Sequence, residues 1–239
     1  MNSCYACGSS DLEQLPECYR CRRCGLVRTA YSYDASQYNF AYAKTYLNYA
    51  SGPVNIPLQL LRLGLVARWL RLNEKLLDVG CCIGEFISFA RYWFECYGVE
   101  PNDAALQIAR KRQAKWGLQR QMFSSSLNGQ FPRMKCITLF DVLEHFEDPK
   151  LALQSFVENW LSPEGVVVVT TPNVGSICSH EMASWRHYKP KEHLFLFTPD
   201  SLGALFKEAG LSVVHLGFEE SDVRPDNPNG GIMTLVGKK

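Results

Sequence analysis

Five of the ten cysteines fall within the first 24 residues, and four of these form two C-x-x-C-G units, Cys4-Tyr-Ala-Cys7-Gly8 and Cys21-Arg-Arg-Cys24-Gly25. Thirteen residues separate Cys7 from Cys21, which is the spacing of a zinc ribbon. Each pair can place two thiolates on one metal, and the glycine lets the backbone turn tightly beneath the sulfurs. Four thiolates close the coordination sphere, so Cys4, Cys7, Cys21 and Cys24 are expected to hold a structural Zn2+ with no catalytic water. Cys18 also stands three before Cys21, but Arg22 occupies the glycine position and Cys18 is left out of the ligand set. Free thiols or a redox pair are the competing use of these residues.

A second constellation begins at LLDVGCCIGEF, residues 76–86. The apolar run reads as a buried parallel strand that breaks at Gly80 and Gly84 before a helix-like segment. Such a turn brings backbone N–H groups and a helix N-terminus close to a ligand. Glu100 stands twenty residues after Gly80, where a carboxylate accepts hydrogen bonds from the hydroxyls of a ribose. A nicotinamide fingerprint requires G-x-G-x-x-G, whereas this turn reads Gly80-x-Cys82-x-Gly84 with Ile87 three places on. The spacing favours a nucleoside over NAD. Proton transfer is offered by His145, and by His187 and His193 within WRHYKPKEH. For each histidine, and for Glu144, capping or packing is the competing use.

These groups need a scaffold. With 239 residues, 46% of them hydrophobic, the chain can bury one substantial core plus a small appendage. After Leu72, short apolar runs alternate with amphipathic stretches, the pattern of a doubly wound parallel sheet. Strands are expected near 75–79, 96–99, 119–123, 136–140, 166–170, 212–218 and 232–236, and helices near 85–94, 103–116, 149–160 and 199–209. Tyr38, Tyr42, Tyr46 and Tyr49 recur at helical spacing, which puts them on one face, either to pack on the main domain or to line a pocket. A second amphipathic helix is expected from about 56 to 72. The resulting division is a zinc ribbon over 1–30, a helical cap or linker over 31–72 and a main domain over 73–239.

Asp78-Val-Gly80-Cys-Cys82-Ile-Gly84, Gly98-Val-Glu100, FDVLEHFEDP at 140–149 and TPN at 171–173, taken in this order, resemble the class I S-adenosylmethionine-dependent methyltransferases. Within these the chain is most similar to the bacterial branch with an N-terminal zinc ribbon, and over the core to ubiquinone-pathway O-methyltransferases. The resemblance implies an α/β, Rossmann-like seven-stranded sheet in the order 3-2-1-4-5-7-6 with strand 7 antiparallel. It gives Asp78, Gly80, Cys82 and Gly84 the methionine end of S-adenosyl-L-methionine, Glu100 the ribose, and Pro101 and Asn102 the flank of ribose and adenine. Asp141, Val142 and Leu143 are expected near the sulfonium, and Glu144 and His145 at the edge of the substrate cavity. Two positions depart from the family pattern. Cys82 replaces a glycine, so a Cβ points into the space needed by the cofactor's backbone contacts and binding should weaken. After the third strand, Phe123-Ser-Ser-Ser-Leu127 stands where relatives carry an acid for the adenine amino group.

The expected reaction is methyl transfer to a small-molecule acceptor, foremost an oxygen, with a histidine (His145, His187 or His193) removing the proton. Arg186, Lys189 and Lys191 make the 186–193 insertion basic and suit an anionic or polyhydroxylated acceptor. The alternative is an RNA methyltransferase, or an RNA-binding protein on an inactive methyltransferase fold. Residues 1–30 carry four arginines against three acids, thin for a phosphate-binding surface. A formal net charge of +1 gives no global pull toward nucleic acid or membrane. With no apolar run near 20 residues and no signal-like N-terminus, the protein is read as soluble and cytoplasmic.

Overall fold

The computed structural model describes residues 2–34, 36, 40–52, 55–116, 123–126, 131–177, 179–224 and 231–239. Four N-terminal and central strands form a small antiparallel sheet: β1 (Leu12–Leu15), β2 (Cys18–Cys21), β3 (Val27–Thr29) and, from far along the chain, β9 (Phe195–Leu196). The main sheet comprises β4 (Lys75–Val79), β5 (Glu95–Val99), β6 (Phe123–Ser124), β7 (Met134–Phe140), β8 (Leu161–Pro172), β10 (Ser212–Gly217) and β11 (Ile232–Lys238). Its order is β6-β5-β4-β7-β8-β11-β10, with β4 parallel to β5 and β7, and β10 antiparallel to β11. This is the expected 3-2-1-4-5-7-6 arrangement. The helices are α1 (Phe40–Ala50), α2 (Asn55–Val66), α3 (Glu85–Ala90), α4 (Asp103–Lys115), α5 (Pro149–Ser155), α6 (Pro199–Glu208) and α7 (Glu219–Val223).

Contacts divide the chain into two compact units. One consists of residues 35–139 and 160–167. Leu76 and Leu77 of β4, Cys96 of β5 and Ile137 of β7 are fully buried there, as a strand covered on both faces requires. Gly84 ends the β4–α3 turn at φ 73°, and an added Cβ would lie 2.9 Å from the Phe123 ring. α1 is the helix expected from the tyrosine spacing. Ala43 is buried with Ile83 and Ala105, joined by Leu47 and Ala50, whereas Tyr46 is exposed. Ala43, Leu47 and Ala50 stand at i, i+4 and i+7 and so share one helical face. Tyr38 and the side chains of Tyr42 and Tyr49 lie outside what is described.

The other unit holds residues 1–34, 140–159 and 168–239. β1, β2 and β3 form a meander whose free edge takes β9 as its fourth strand, with Val27 opposite Leu196 and Arg28 opposite Phe195. Cys18 is buried among Val27, Val174, Met182 and Leu196. The helix expected over 149–160 begins with Asp148 capping Leu151 N–H and Pro149 in its first turn, then widens into a π-helix from Phe156 to Trp160. α2 stops at Val66, short of the expected 72, and most of the segment expected as a strand near 119–123 lies outside the described residues.

Candidate functional site

The first candidate site is the β4–α3 turn. Glu100, at the end of β5, is buried, and both its oxygens accept backbone N–H groups: Oε2 from Cys82 at 2.9 Å and Oε1 from Asn102 at 2.8 Å. The carboxylate thus ties the glycine turn to the start of α4. Burial raises its pKa, opposed by those two donors. Asn102 is the N-cap of α4, its side chain accepting from Ala104 N and Ala105 N, while Pro101 is exposed. Asp78 is buried in β4 opposite Thr138 of β7, whose hydroxyl donates to Oδ1 at 2.7 Å. Burial pushes the Asp78 carboxyl up to about 7.

Gly80 and Gly84 both have positive φ, at 70° and 73°. Cys82 shares that region at φ 49°, where a non-glycine residue is strained. Its side chain does not project alone: it packs against the Ala43, Ile83 and Ala105 cluster. Two buried carboxylates, Asp78 and Glu100, suit a ligand that brings hydroxyl or ammonium donors. The residues therefore fit S-adenosyl-L-methionine, whose ribose and amino group supply both.

The second candidate site follows β7. Asp141 sits at φ 58°, donates its N–H to Thr170 O at 2.9 Å and accepts Arg224 at 2.6 Å. Arg224 also pairs with Glu220, which is fully buried. Val142 precedes a short 3-10 turn, Leu143–His145. Within it Glu144 is fully buried, accepts the Thr171 hydroxyl on Oε2 at 3.0 Å, and is pushed up to about 8 by burial and by Asp141. His145 Nδ1 lies 2.8 Å from Glu192 O, and His193 Nδ1 lies 2.7 Å from His187 O. A carbonyl only accepts, so in each ring Nδ1 carries the proton and Nε2 the lone pair. Burial lowers both pKa values, that of His193 to about 3 with His145 contributing. The rings of His145 and His193 meet edge-to-face at 4.9 Å, and His187 stacks on His193 at 6.4 Å. Glu144, His145 and His193 each place a ligand-capable atom within 4.8 Å of the others.

Of the basic insertion, Lys189 pairs with Glu192 at 3.2 Å and Lys191 lies over the Tyr31 ring at 5.8 Å. Sequence reasoning assigned no role to Thr138, Thr171 or Arg224. The first two stand on central strands where a hydroxyl among aliphatics signals a buried acceptor, and Arg224 opens a stretch that reads only as a turn-rich link.

The four sulfurs of Cys4, Cys7, Cys21 and Cys24 converge within 4.8 Å, with Cys4–Cys24 at 3.5 Å and Cys7–Cys21 at 3.6 Å. A tetrahedral zinc with Zn–S bonds of about 2.3 Å needs sulfurs about 3.8 Å apart, so the residues fit the ion. Gly8 and Gly25 close the two turns at φ 69° and 72°, each donating to the carbonyl of the first cysteine of its pair at 2.9 Å.

The strand order, the glycine turn after the first parallel strand and the acid ending the second define a class I methyltransferase fold. The chain belongs to the methyltransferase-domain family, whose model matches residues 56–216. It is 33% identical over 120 residues to a ubiquinone biosynthesis O-methyltransferase of Alkalilimnicola ehrlichii, covering 47% of this chain and 48% of that protein. It is 30% identical to the protein of the same name from Pasteurella multocida over 42% and 47%. The alignments thus span about half the length of these relatives. Among solved structures, an S-adenosylmethionine-dependent methyltransferase of Thermotoga maritima aligns with a TM-score of 0.62 at 19% identity, over 85% of this chain and 99% of that one. Another from Aquifex aeolicus aligns at 0.61 with 12% identity, over 84% and 98%. These two likenesses establish the fold alone. Among the described residues no helix is long and apolar enough to cross a membrane.

Proposed function

We propose that the protein transfers a methyl group from S-adenosyl-L-methionine to an oxygen of a small-molecule acceptor. The observation that carries this reading is Glu100, whose two oxygens hold the N–H groups of Cys82 and Asn102 and keep lone pairs for a ribose diol. Asp78, Gly80, Cys82 and Gly84 would hold the methionine end, with Pro101 and Asn102 beside the ribose and adenine and Asp141, Val142 and Leu143 near the sulfonium. The bound cofactor supplies an activated methyl group. The chain must then align the acceptor, exclude water and take its proton.

Proton removal falls to the cluster of Glu144, His145, His193 and His187. Both His145 and His193 are poised as neutral imidazoles with the lone pair on Nε2. His145, on the turn that directly follows β7, takes the proton, and His193, seated on His187 O with its ring against that of His145, orients it. The oxygen acceptor draws support from the two O-methyltransferase relatives. The four N-terminal cysteines bind a structural zinc as a ribbon over residues 1–30, the helical segment 31–72 serves as a cap or linker ahead of the domain at 73–239, and the acceptor is anionic or polyhydroxylated. An RNA substrate is disfavoured because two of the ribbon's arginines are engaged within the fold: Arg22 with Glu13 at 3.7 Å and Arg28 over the Phe195 ring at 5.4 Å.

Calorimetric titration of the zinc-loaded protein with S-adenosylmethionine and S-adenosylhomocysteine tests the reading. Micromolar binding that falls at least tenfold in Glu100→Ala is expected. Absence of binding to the intact protein would leave a zinc-ribbon protein on an inactive methyltransferase fold.

A further inference from the structure

A cavity of about 400 Å3 opens between the cysteine ribbon and helices α5 and α6, with Ser3, Tyr5, Gly8, Arg28, Lys150 and Glu208 in its wall. All six belong to one compact unit. Two adjoining aromatic rings carry its cations. Lys150 Nζ lies 5.3 Å over the Tyr5 ring, that ring meets Phe195 at 4.9 Å, and the Arg28 guanidinium lies 5.4 Å over Phe195. Stacking fixes where each charged head stands. The Tyr5 hydroxyl donates to Asp148 and accepts the Lys150 backbone N–H at 3.1 Å, so the ring is anchored at its polar end as well. The two cations are not balanced alike. Lys150 pairs with Glu208 at 3.1 Å through side chains 34% and 46% exposed, and an exposed pair of this kind exchanges readily for a better partner. Among the described residues no carboxylate pairs with Arg28, whose planar fork of donors keeps its hydrogen-bonding capacity while it stacks.

We propose that this cavity binds a phosphate monoester of a small organic molecule, at a site that shares no residue with the histidine cluster or the glycine turn. Arg28, Lys150 and the Ser3 hydroxyl come from three parts of the chain. Donors arriving from several directions suit a tetrahedral oxyanion better than a planar carboxylate, which one guanidinium fork satisfies. A sphere of this volume is about 9 Å across, more than inorganic phosphate fills, so the ligand carries an organic group that lies against the Tyr5 ring. An RNA chain fits less well, because its backbone needs cations spread along a groove, whereas these two face a single cavity. The rival account is that both cations balance the two negative charges that four thiolates leave on a zinc ion, since Cys4 stands in the same wall.

The test is calorimetric titration of the zinc-loaded full chain, at fixed ionic strength, with phenyl phosphate, inorganic phosphate and benzoate in turn. Phenyl phosphate is expected to bind at one site, about threefold more tightly than inorganic phosphate and about tenfold more tightly than benzoate. Arg28→Gln should weaken it about tenfold and Lys150→Met about threefold, with zinc content unchanged. Glu208→Gln should act in the opposite sense and tighten phenyl phosphate about threefold, because the exposed acid competes for Lys150. Loss of a merely structural contact would not strengthen binding. No binding at millimolar phenyl phosphate, an affinity unchanged in Arg28→Gln, or no tightening in Glu208→Gln would overturn the proposal. Loss of zinc from both cation variants, with no phosphate binding by the intact protein, would assign the cations to the metal centre instead. A preference for single-stranded RNA over phenyl phosphate would assign them to nucleic acid and overturn it equally. Neither cofactor nor acceptor takes part, so failure here leaves methyl transfer standing.

Discussion

Cys82 shows how much one side chain can alter in a ligand-binding turn. Its backbone occupies the left-handed region at φ 49°, at a cost of about 1–3 kcal/mol for a residue with a Cβ. Packing against Ala43, Ile83 and Ala105 offsets part of this. Replacement by glycine removes both the strain and the packing and adds disorder to the unfolded chain, so Cys82→Gly should change unfolding free energy by less than about 1 kcal/mol. A β-branched residue cannot adopt this conformation comfortably, and Cys82→Val should lose about 2 kcal/mol in urea denaturation. Equal stability of the two variants would show that the strain is not there. Gly84 is more constrained: a Cβ meets the Phe123 ring at 2.9 Å with φ at 73°. Gly84→Ala should cost about 2–3 kcal/mol and lower cofactor affinity with it. The sequence marks both positions as unusual, but it does not reveal that a helix from residues 40–50 supplies the neighbours of Cys82.

Among the elements, the parallel strands and their glycine turn were legible because hydrophobic runs and punctuation coincide there. The alternation HLFLF did not announce β9. A two-residue strand has no periodicity to read, and its partner β3 lies in a segment 168 positions earlier. In α1 the tyrosine spacing identifies a helical face but not which face is buried: Ala43 is buried and Tyr46 is exposed. Pairing of β3 with β9 joins the cysteine ribbon to the segment carrying His193, reinforced by Thr198 Oγ1 donating to Cys24 O at 2.5 Å and Thr29 N–H donating to Leu194 O at 3.0 Å. Stripping metal from the cysteines with a strong chelator should therefore raise amide hydrogen exchange at residues 27–29 and at 194–196 together. Protection retained at 194–196 while 27–29 exchange freely would mean that the two segments are held independently.

At the scale of the whole molecule, the sheet order follows from connection rules that leave few topologies for this sequence of strands and helices. The buried carboxylates, by contrast, depend on distant partners that a sequence does not display. Asp78 faces the Thr138 hydroxyl, the Arg62 cation, which favours its charge, and Glu100, which opposes it; burial outweighs these and lifts it from 3.8 to about 7. The folded protein then binds more protons than the unfolded chain between these values. Its contribution to stability is full below about pH 4 and is lost as pH rises toward 7. Thermal melts of the protein without cofactor should show this decline, and Asp78→Asn should flatten it; an identical slope in the variant would assign the decline elsewhere. The late partner of the ribbon also has a consequence for the order of synthesis. At about 5–20 residues per second, β9 leaves the ribosome roughly 10–30 s after β3. During that interval the nascent meander has an open edge, so on the zinc-ribbon reading proposed above the arrival of a metal ion, rather than the completion of the sheet, sets when the first part of the chain becomes ordered.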